Sequence, residues 1–306
     1  MSAESIQNIG IIGLGRMGTA IAKNILKSRF NLVVYNRTIE KTYTLVEAGA
    51  NSVASPKEAA AKSDVILTSL SDDHALLDVV TSEEGILSGL KPNKIHIGTS
   101  TISPSLSTKL AKIHNEHGSL YLSAPVLGNP MAAQAAKLIT FVAGDQKSIR
   151  LCDRLFNSYC QRIINTGREH AKSNTLKLAA NYVMLVLLDV IGQVYVLGEK
   201  SNVDLQLMNE LLEMIFDYPG LKQYANRIRT RDFDNVGFDL SSAFKDTQLI
   251  LQTSSDIYAP LSFADSVRNK FITSIANNLG KKNMQGSSFN PWIKPKANAI
   301  SRPHHT

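Results

Sequence analysis

This sequence predicts a doubly wound α/β domain followed by an all-α domain, with one long helix joining the two. Three observations predict that architecture. A glycine-rich turn stands between a strand-length apolar run and a run with helical spacing. Short apolar runs bounded by turn residues then recur as far as Thr166. Beyond Thr166 the spacing is helical, beginning with a long apolar stretch that has no turn signal before Gly198.

The first strand is the apolar run at 6–12, and Gly13, Gly15 and Gly18 follow it in the spacing G-x-G-x-x-G. Ala20, Ile21, Ile25 and Leu26 then recur at helical spacing, and FNLVVYNR (30–37) completes a βαβ unit. That context makes Gly13, Leu14, Gly15, Arg16, Met17 and Gly18 a dinucleotide turn of Rossmann type. Glycine permits torsions closed to other residues and brings the backbone near a pyrophosphate, while the helix start offers unpaired N–H groups. Further strands are read at 64–70, 94–100, 120–126, 138–144 and 161–166. Ser103-Pro104 reads as an N-cap with proline at the first helical position. The helical half holds the long apolar helix, then 204–216, 221–229, 240–255 and 260–279, with a Tyr218-Pro219-Gly220 break. The domains are therefore set at 1–166 for the nucleotide, 167–280 for substrate and oligomerisation, and 281–306 for a flexible basic tail.

A chain of 306 residues has room for two such domains. Its net charge of +7 raises nucleic acid as a partner. Five of those charges (Lys281, Lys282, Lys294, Lys296 and Arg302) lie in the tail, which has no acid, leaving +2 for the rest. A tail property is not a nucleic-acid stripe, so no nucleic-acid partner is expected. Cys152 and Cys160 have no metal spacing and suit a reducing compartment. The glycines interrupt the first apolar run, so it is not a signal peptide. Asn181, Asp189, Gly192 and Gln193 break the run from Leu178 to Leu197, so no membrane span is expected. A soluble, cytoplasmic protein without a metal is the expectation.

The end of the second strand bears on the nucleotide. NAD sites place a carboxylate about 20 residues past the first glycine to hold the ribose 2′-hydroxyl. Here Asn36 stands 23 positions past Gly13, followed by Arg37 and Thr38. A guanidinium fork and a hydroxyl without a carboxylate favour the 2′-phosphate of NADP. Ligands of such sheets sit beyond the strand ends. Those ends carry Leu70-Ser71, Thr99-Ser100-Thr101 and Ala124-Pro125-Val126-Leu127-Gly128-Asn129.

The long helix carries Lys177 and Asn181, four residues apart and so on one face. Two readings stand for the residues alone. Lys177 snorkels to solvent while Asn181 caps a neighbour, or the pair is functional. A helix of about 30 residues is ~45 Å long and apolar all round, so it is expected to be buried on every side, spanning the domains or a subunit interface.

With these residues in hand, the chain resembles the β-hydroxyacid dehydrogenase family, which includes 3-hydroxyisobutyrate dehydrogenases and glyoxylate/succinic semialdehyde reductases. GIIGLGRMGTAIAKNIL is similar to its cofactor signature, GTSTISP to its Asp-x-Ser-Thr-x-x-Pro segment, and SAPVLGN to its substrate loop. KLAAN resembles its catalytic Lys-x-x-x-Asn, and FKDTQL its later Lys-Asp segment. The resemblance implies that Lys177 is the acid/base and that Ser100 and Asn181 orient substrate. Thr101 and Lys245 would lie against cofactor or substrate, and Leu127, Gly128 and Asn129 would line the substrate. It also implies a small carbonyl or hydroxy-acid substrate and a homodimer or homotetramer.

The chain departs from that pattern at Gly98 and Ser123, where the family has Asp, and at Ala180, where it has the first of two asparagines. Leu127 and Asn129 stand where the family has Ser and Gly around the central glycine. The Gly-Asn-Pro stretch is similar to imine reductases, relatives of the same fold. Two alternatives to carbonyl reduction therefore remain: reduction of an imine, or a catalytically silent NADP-binding scaffold.

Overall fold

The computed structural model describes residues 6–215, 219–258 and 261–288, arranged as two compact units, Met1–Asn181 and Tyr182–Thr306. In the first unit β1 (Asn8–Ile12) leads through the glycine turn into α1 (Arg16–Lys27) and returns as β2 (Asn31–Tyr35). After α2 (Tyr43–Glu47) come the short β3 (Asn51–Ser52), α3 (Pro56–Ala61) and β4 (Val65–Thr68). Next are α4 (Asp73–Thr81), α5 (Ile86–Gly89), β5 (Ile95–Gly98), α6 (Pro104–Glu116) and β6 (Leu120–Ser123). The unit continues with β7 (Val126–Leu127), α7 (Pro130–Gln134), β8 (Leu138–Ala143), α8 (Gln146–Leu151), α9 (Asp153–Asn157) and β9 (Cys160–Gly167).

Strands β3-β2-β1-β4-β5-β6 form the parallel part of the sheet in that spatial order. The chain crosses over β1 between β3 and β4, which opens the ligand crevice of a doubly wound sheet beside β1. β6 and β7 pair antiparallel with β8, and β9 lies parallel against β8. Alternation fills a layer on each face. Val65 and Leu67 of β4 join one core with Ile9, Ile11 and Leu32, while Ile66 joins the other with Ile12 and Val33. The predicted N-cap is present: Ser103 Oγ accepts from the Leu106 N–H, 3.1 Å away, ahead of Pro104.

The long helix α10 (His170–Lys200) belongs to the first unit up to Asn181 and to the second from Tyr182. The packing boundary thus falls inside the helix, not at residue 166. Within this chain alone α10 is not covered on every side, since Leu176, Val183, Val190 and Leu197 form an exposed stripe at every seventh residue, the part of the expectation that calls for a subunit interface. By length and composition α10 could cross a membrane. Its second half nevertheless packs in protein: Asp189 pairs with Lys270, and the Tyr195 hydroxyl donates to Asn209 Oδ1 at 2.9 Å.

The second unit adds α11 (Leu205–Ile215), α12 (Pro219–Thr230), α13 (Leu240–Asp256) and α14 (Ser262–Ala276). Pro219, read as part of a break, is instead the first residue of α12. The tail read as starting at 281 also needs correction. Asn283, Met284 and Gln285 are buried, and residues 284–288 form a 3₁₀ turn of this unit. Lys294, Lys296 and Arg302 lie outside the described residues.

Candidate active site

One register row crosses the sheet and sets the site. Tyr35, Ile12, Thr68, Gly98 and Ser123 are successive partners in the parallel strands, and Ser123 pairs onward with Ala143. The sequence-predicted residues on the strand ends follow this row by one to six positions. The sheet therefore brings Gly13–Gly18, Asn36–Thr38, Leu70–Ser71, Ser100–Thr101 and Leu127–Asn129 to one edge.

At the glycine turn, Gly13 has φ +93°, and a Cβ there would strike the Ser69 carbonyl. A Cβ on Gly18 would run into the Gly13 carbonyl, so both glycines are required by packing. Gly15 differs, because a Cβ there would meet nothing within 4 Å. It caps α1 with no side-chain hydrogen bond, so backbone N–H groups and a partial positive charge face that open space. This is the cradle a pyrophosphate needs, and the residues present fit a dinucleotide.

Asn36 braces the turn rather than facing outward alone. Its Oδ1 accepts from the Leu14 N–H at 2.9 Å and its Nδ2 donates to the Thr38 carbonyl at 2.8 Å. Arg37 and Thr38 are exposed beyond it. Ser71 spends its hydroxyl proton on Asp72, the N-cap of α4, at 2.6 Å. Thr99 locks β5 to β4 by donating to the Thr68 carbonyl at 2.8 Å. Ser100 Oγ accepts from the Leu70 N–H at 2.8 Å, which leaves its hydroxyl proton to be donated. Thr101 is half-buried next to it.

Leu127 is half-buried at the end of β7, and Gly128 has φ +139°, a torsion that favours glycine. Asn129 is the N-cap of α7, its Oδ1 accepting from the Ala132 N–H at 2.9 Å ahead of Pro130. At this position Asn has a local structural duty that the sequence reading did not give it.

α10 reaches the same edge through its first turns. His170 Nε2 donates to the Tyr121 carbonyl at 2.9 Å, and the Ser123 hydroxyl donates to Asn174 Oδ1 at 2.6 Å. One turn on, Lys177 is buried, 7% exposed, and Asn181 is half-buried. At 7% exposure Lys177 does not snorkel to solvent. Lys245 belongs to α13 of the second unit, where its ammonium stands 2.6 Å from a carboxylate oxygen of the buried Asp246.

Sequence reasoning missed Ser173 and Asn174, which are buried on the Lys177 face of α10. Their signal was available: polar residues three and four positions before a buried lysine share its face. It also missed a buried chain under the site. The Thr68 hydroxyl lies 2.9 Å from His96 Nε2, His96 Nδ1 lies 3.0 Å from His114 Nε2, and His114 Nδ1 lies 2.8 Å from Ser119 Oγ. With both rings neutral, a Ser119 hydroxyl donating to the His114 carbonyl at 3.3 Å assigns His114 Nδ1 and His96 Nδ1 as donors. Burial holds His114 down to about 3, with His117 and His170 adding repulsion. His96 is pushed well below its ordinary value by burial and then by His114. Burial pushes both Cys152 and Cys160 up to about 12, so neither thiol is a ready nucleophile. Among the described residues no cluster of His, Cys, Asp or Glu could hold a metal ion.

Residues 8–167 match the NAD binding domain of 6-phosphogluconate dehydrogenase. An uncharacterised oxidoreductase of Bacillus subtilis (strain 168) is 35% identical over 272 residues, 89% of this chain and 95% of that protein. A 3-hydroxyisobutyrate dehydrogenase-like protein of Arabidopsis thaliana is 31% identical over 248 residues, 79% of this chain and 72% of its own. In structure, a 3-hydroxyisobutyrate dehydrogenase from Salmonella typhimurium superposes with a TM-score of 0.83 at 18% identity, covering 92% of this chain and 99% of that one. An oxidoreductase relative at this identity, the matched nucleotide domain and the glycine cradle at the crevice lead to one conclusion: the chain is an NAD(P)-dependent dehydrogenase of the β-hydroxyacid dehydrogenase family.

Proposed function

We propose that the protein reduces a small aldehyde, keto acid or related carbonyl with NADPH, and that Lys177 is its general acid/base. The observation that carries this reading is the burial of Lys177 on a helix whose start is tied to the strand ends by His170 and Asn174. When bound, NADPH supplies the hydride. Protonated Lys177 hands a proton to the carbonyl oxygen as negative charge grows there, and in the reverse direction neutral Lys177 takes the hydroxyl proton. Asn181, one turn later, holds the amine or the substrate oxygen. Ser100 directs its remaining proton to a substrate carboxylate or hydroxyl, since its oxygen already accepts from Leu70. Arg37 and Thr38 face the 2′-phosphate and Thr101 lies against cofactor or substrate, while for Lys245, on the second unit, that role comes from the family resemblance alone. Leu127 sets the size of the group admitted, with Gly128 giving the turn and Asn129 holding α7.

With Cys152 and Cys160 both free, a reducing, cytoplasmic compartment is proposed for the protein, as a homodimer or homotetramer. Exposed Val183, Val190 and Leu197 on α10, with Leu207, Leu211 and Met214 on α11, favour association.

A second reading, reduction of an imine, is favoured by the neutral residues Gly98 and Ser123 and by the Gly128-Asn129-Pro130 turn. One experiment separates the two. NADPH consumption is followed with glyoxylate, succinic semialdehyde and a cyclic imine. Turnover of an aldehyde supports carbonyl reduction, turnover of the imine alone moves the assignment to the second reading, and no turnover overturns both.

A further inference from the structure

Two departures from the family pattern occupy adjacent places in the sheet, since Gly98 and Ser123 are register partners. A Cβ on Gly98 would collide with the Tyr121 hydroxyl, so the Tyr121 side chain fills the space a larger residue would need. Ser123, fully buried, sits under the first turns of α10. Its hydroxyl donates to Asn174 Oδ1 at 2.6 Å while its oxygen accepts from the Ser173 hydroxyl at 2.8 Å. The one Ser173 proton is shared between Ser123 Oγ and the His170 carbonyl, 2.9 Å away, so the three side chains form a cluster in which every member is buried and none is charged. Gly144, at φ +139°, follows β8, and a Cβ there would come within 2.9 Å of the Tyr121 carbonyl and 3.1 Å of His170 Nε2.

We propose that Ser123, Ser173 and Asn174 form a neutral latch between β6 and α10 that sets where the Lys177 amine sits, with Asn174 as its positioning residue. The inference deepens the proposed role of Lys177 and rests on that reading for its catalytic meaning. Its physical basis is direct. Asn174 and Lys177 are three residues apart on one helical face, and a rotation or slide of α10 displaces both together. A buried acceptor that loses its donor must be satisfied some other way, which moves the helix turn that carries it. A shift of about 1 Å in a proton donor is enough to lower a rate roughly a hundredfold.

The test reads the amine itself. Wild-type protein, Asn174→Ala, Ser123→Ala and the conservative Ser123→Thr are treated with formaldehyde and cyanoborohydride, and methylation of each lysine is timed by mass spectrometry. Ser123→Thr keeps a neutral hydroxyl that donates to Asn174. The latch predicts that Lys177 methylation changes about tenfold in Asn174→Ala and in Ser123→Ala, the factor equivalent to one lost hydrogen bond. Other lysines stay unchanged, and Ser123→Thr stays near wild type. Equal Lys177 rates in all four proteins overturn the proposal, and so does an equal change in Ser123→Ala and Ser123→Thr. Should Asn174→Ala not fold, Ser123→Ala against wild type decides alone. Because no turnover is involved, this result is independent of whether Lys177 transfers the proton.

Discussion

Ser100 Oγ lies 2.8 Å from the Leu70 backbone nitrogen and accepts its hydrogen bond, tying the end of β5 to the end of β4. The residue therefore has a structural role and a proposed one that separate on substitution. Ser100→Ala removes the acceptor from a partly buried N–H, which costs about 1–3 kcal/mol of stability. On the proposed reading it also removes the proton offered to substrate. A lower melting temperature together with a raised KM is expected. A raised KM with an unchanged melt would mean that the Leu70 contact carries no weight.

The proposed preference for NADPH rests on Arg37. It is exposed, and residues 36–38 hold no carboxylate to repel a phosphate. One charge-assisted contact is worth about 1.5–3 kcal/mol, or roughly ten- to a hundredfold in affinity. NADPH should bind more tightly than NADH by that factor, and Arg37→Ala should close most of the gap. Equal affinities in the wild type, measured by titration calorimetry, would sink the preference.

Acid should weaken the fold earlier than carboxylate titration alone would. His96 and His114 are both held below the ordinary histidine range by burial, and His170 is lowered by burial as well. Their folded pKa values lie below the unfolded value near 6.5, so the unfolded chain binds more protons as pH falls. The stability is fully present above about 6.5 and is lost as pH drops toward the folded values. For His114, held down to about 3, the loss between about pH 6.5 and 4.5 is about 2 kcal/mol, and His96 and His170 add to it in the same direction. Urea melts across that range read it directly. The pair His96→Gln with His114→Gln should flatten the slope, whatever it does to stability at neutral pH.

The substrate role proposed for Leu127 predicts a gain of function. Leu127 supplies bulk and no donor, while Asn129 is committed to capping α7. Leu127→Ser alone should therefore improve turnover of short carboxylate substrates and leave NADPH affinity unchanged. Adding Asn129→Gly should cost only a few tenths of a kcal/mol, since glycine is tolerated at an N-cap. If no semialdehyde acid is turned over faster by either variant, the loop does not set substrate choice.

How much of this was legible in the sequence follows from the range of the interactions involved. Gly13, Gly15 and Gly18 were readable because a turn needs its residues at fixed spacing, and the strands because alternation is local. Asn36, Ser71 and Asn129 were found, yet with part of their duty hidden. Their bonds to Leu14, Asp72 and Ala132 depend on turn geometry that spacing alone does not give. His96 and His114 gave no signal, because a strand residue and a helix residue eighteen positions apart meet only through the β5–α6 crossover. Ser123 looked like a mere departure from a pattern until Ser173 and Asn174 were seen above it. The exposed stripe on α10 escaped because an apolar helix shows the same composition whether its own chain or another covers it.

The last prediction concerns Lys177, whose 7% exposure excludes a solvent-facing stem. Two explanations of a buried lysine differ in what Lys177→Met does. A structural lysine gives way to methionine at little cost, and the protein can even gain stability by losing an awkward charge. A proton donor lost from its place lowers turnover by about 10²–10⁴-fold. NADPH binding should survive in either case, since the glycine cradle and Arg37 are separate from the helix. Asn181→Ala should do less damage than Lys177→Met, because an orienting group transfers no proton. The measurement is single-turnover hydride transfer to the substrate identified by NADPH consumption, with thermal melts and NADPH titration alongside. We expect Lys177→Met to fold, to bind NADPH, and to transfer hydride at least a hundredfold more slowly. A folded, NADPH-binding Lys177→Met protein with near-wild-type transfer would remove Lys177 from the mechanism.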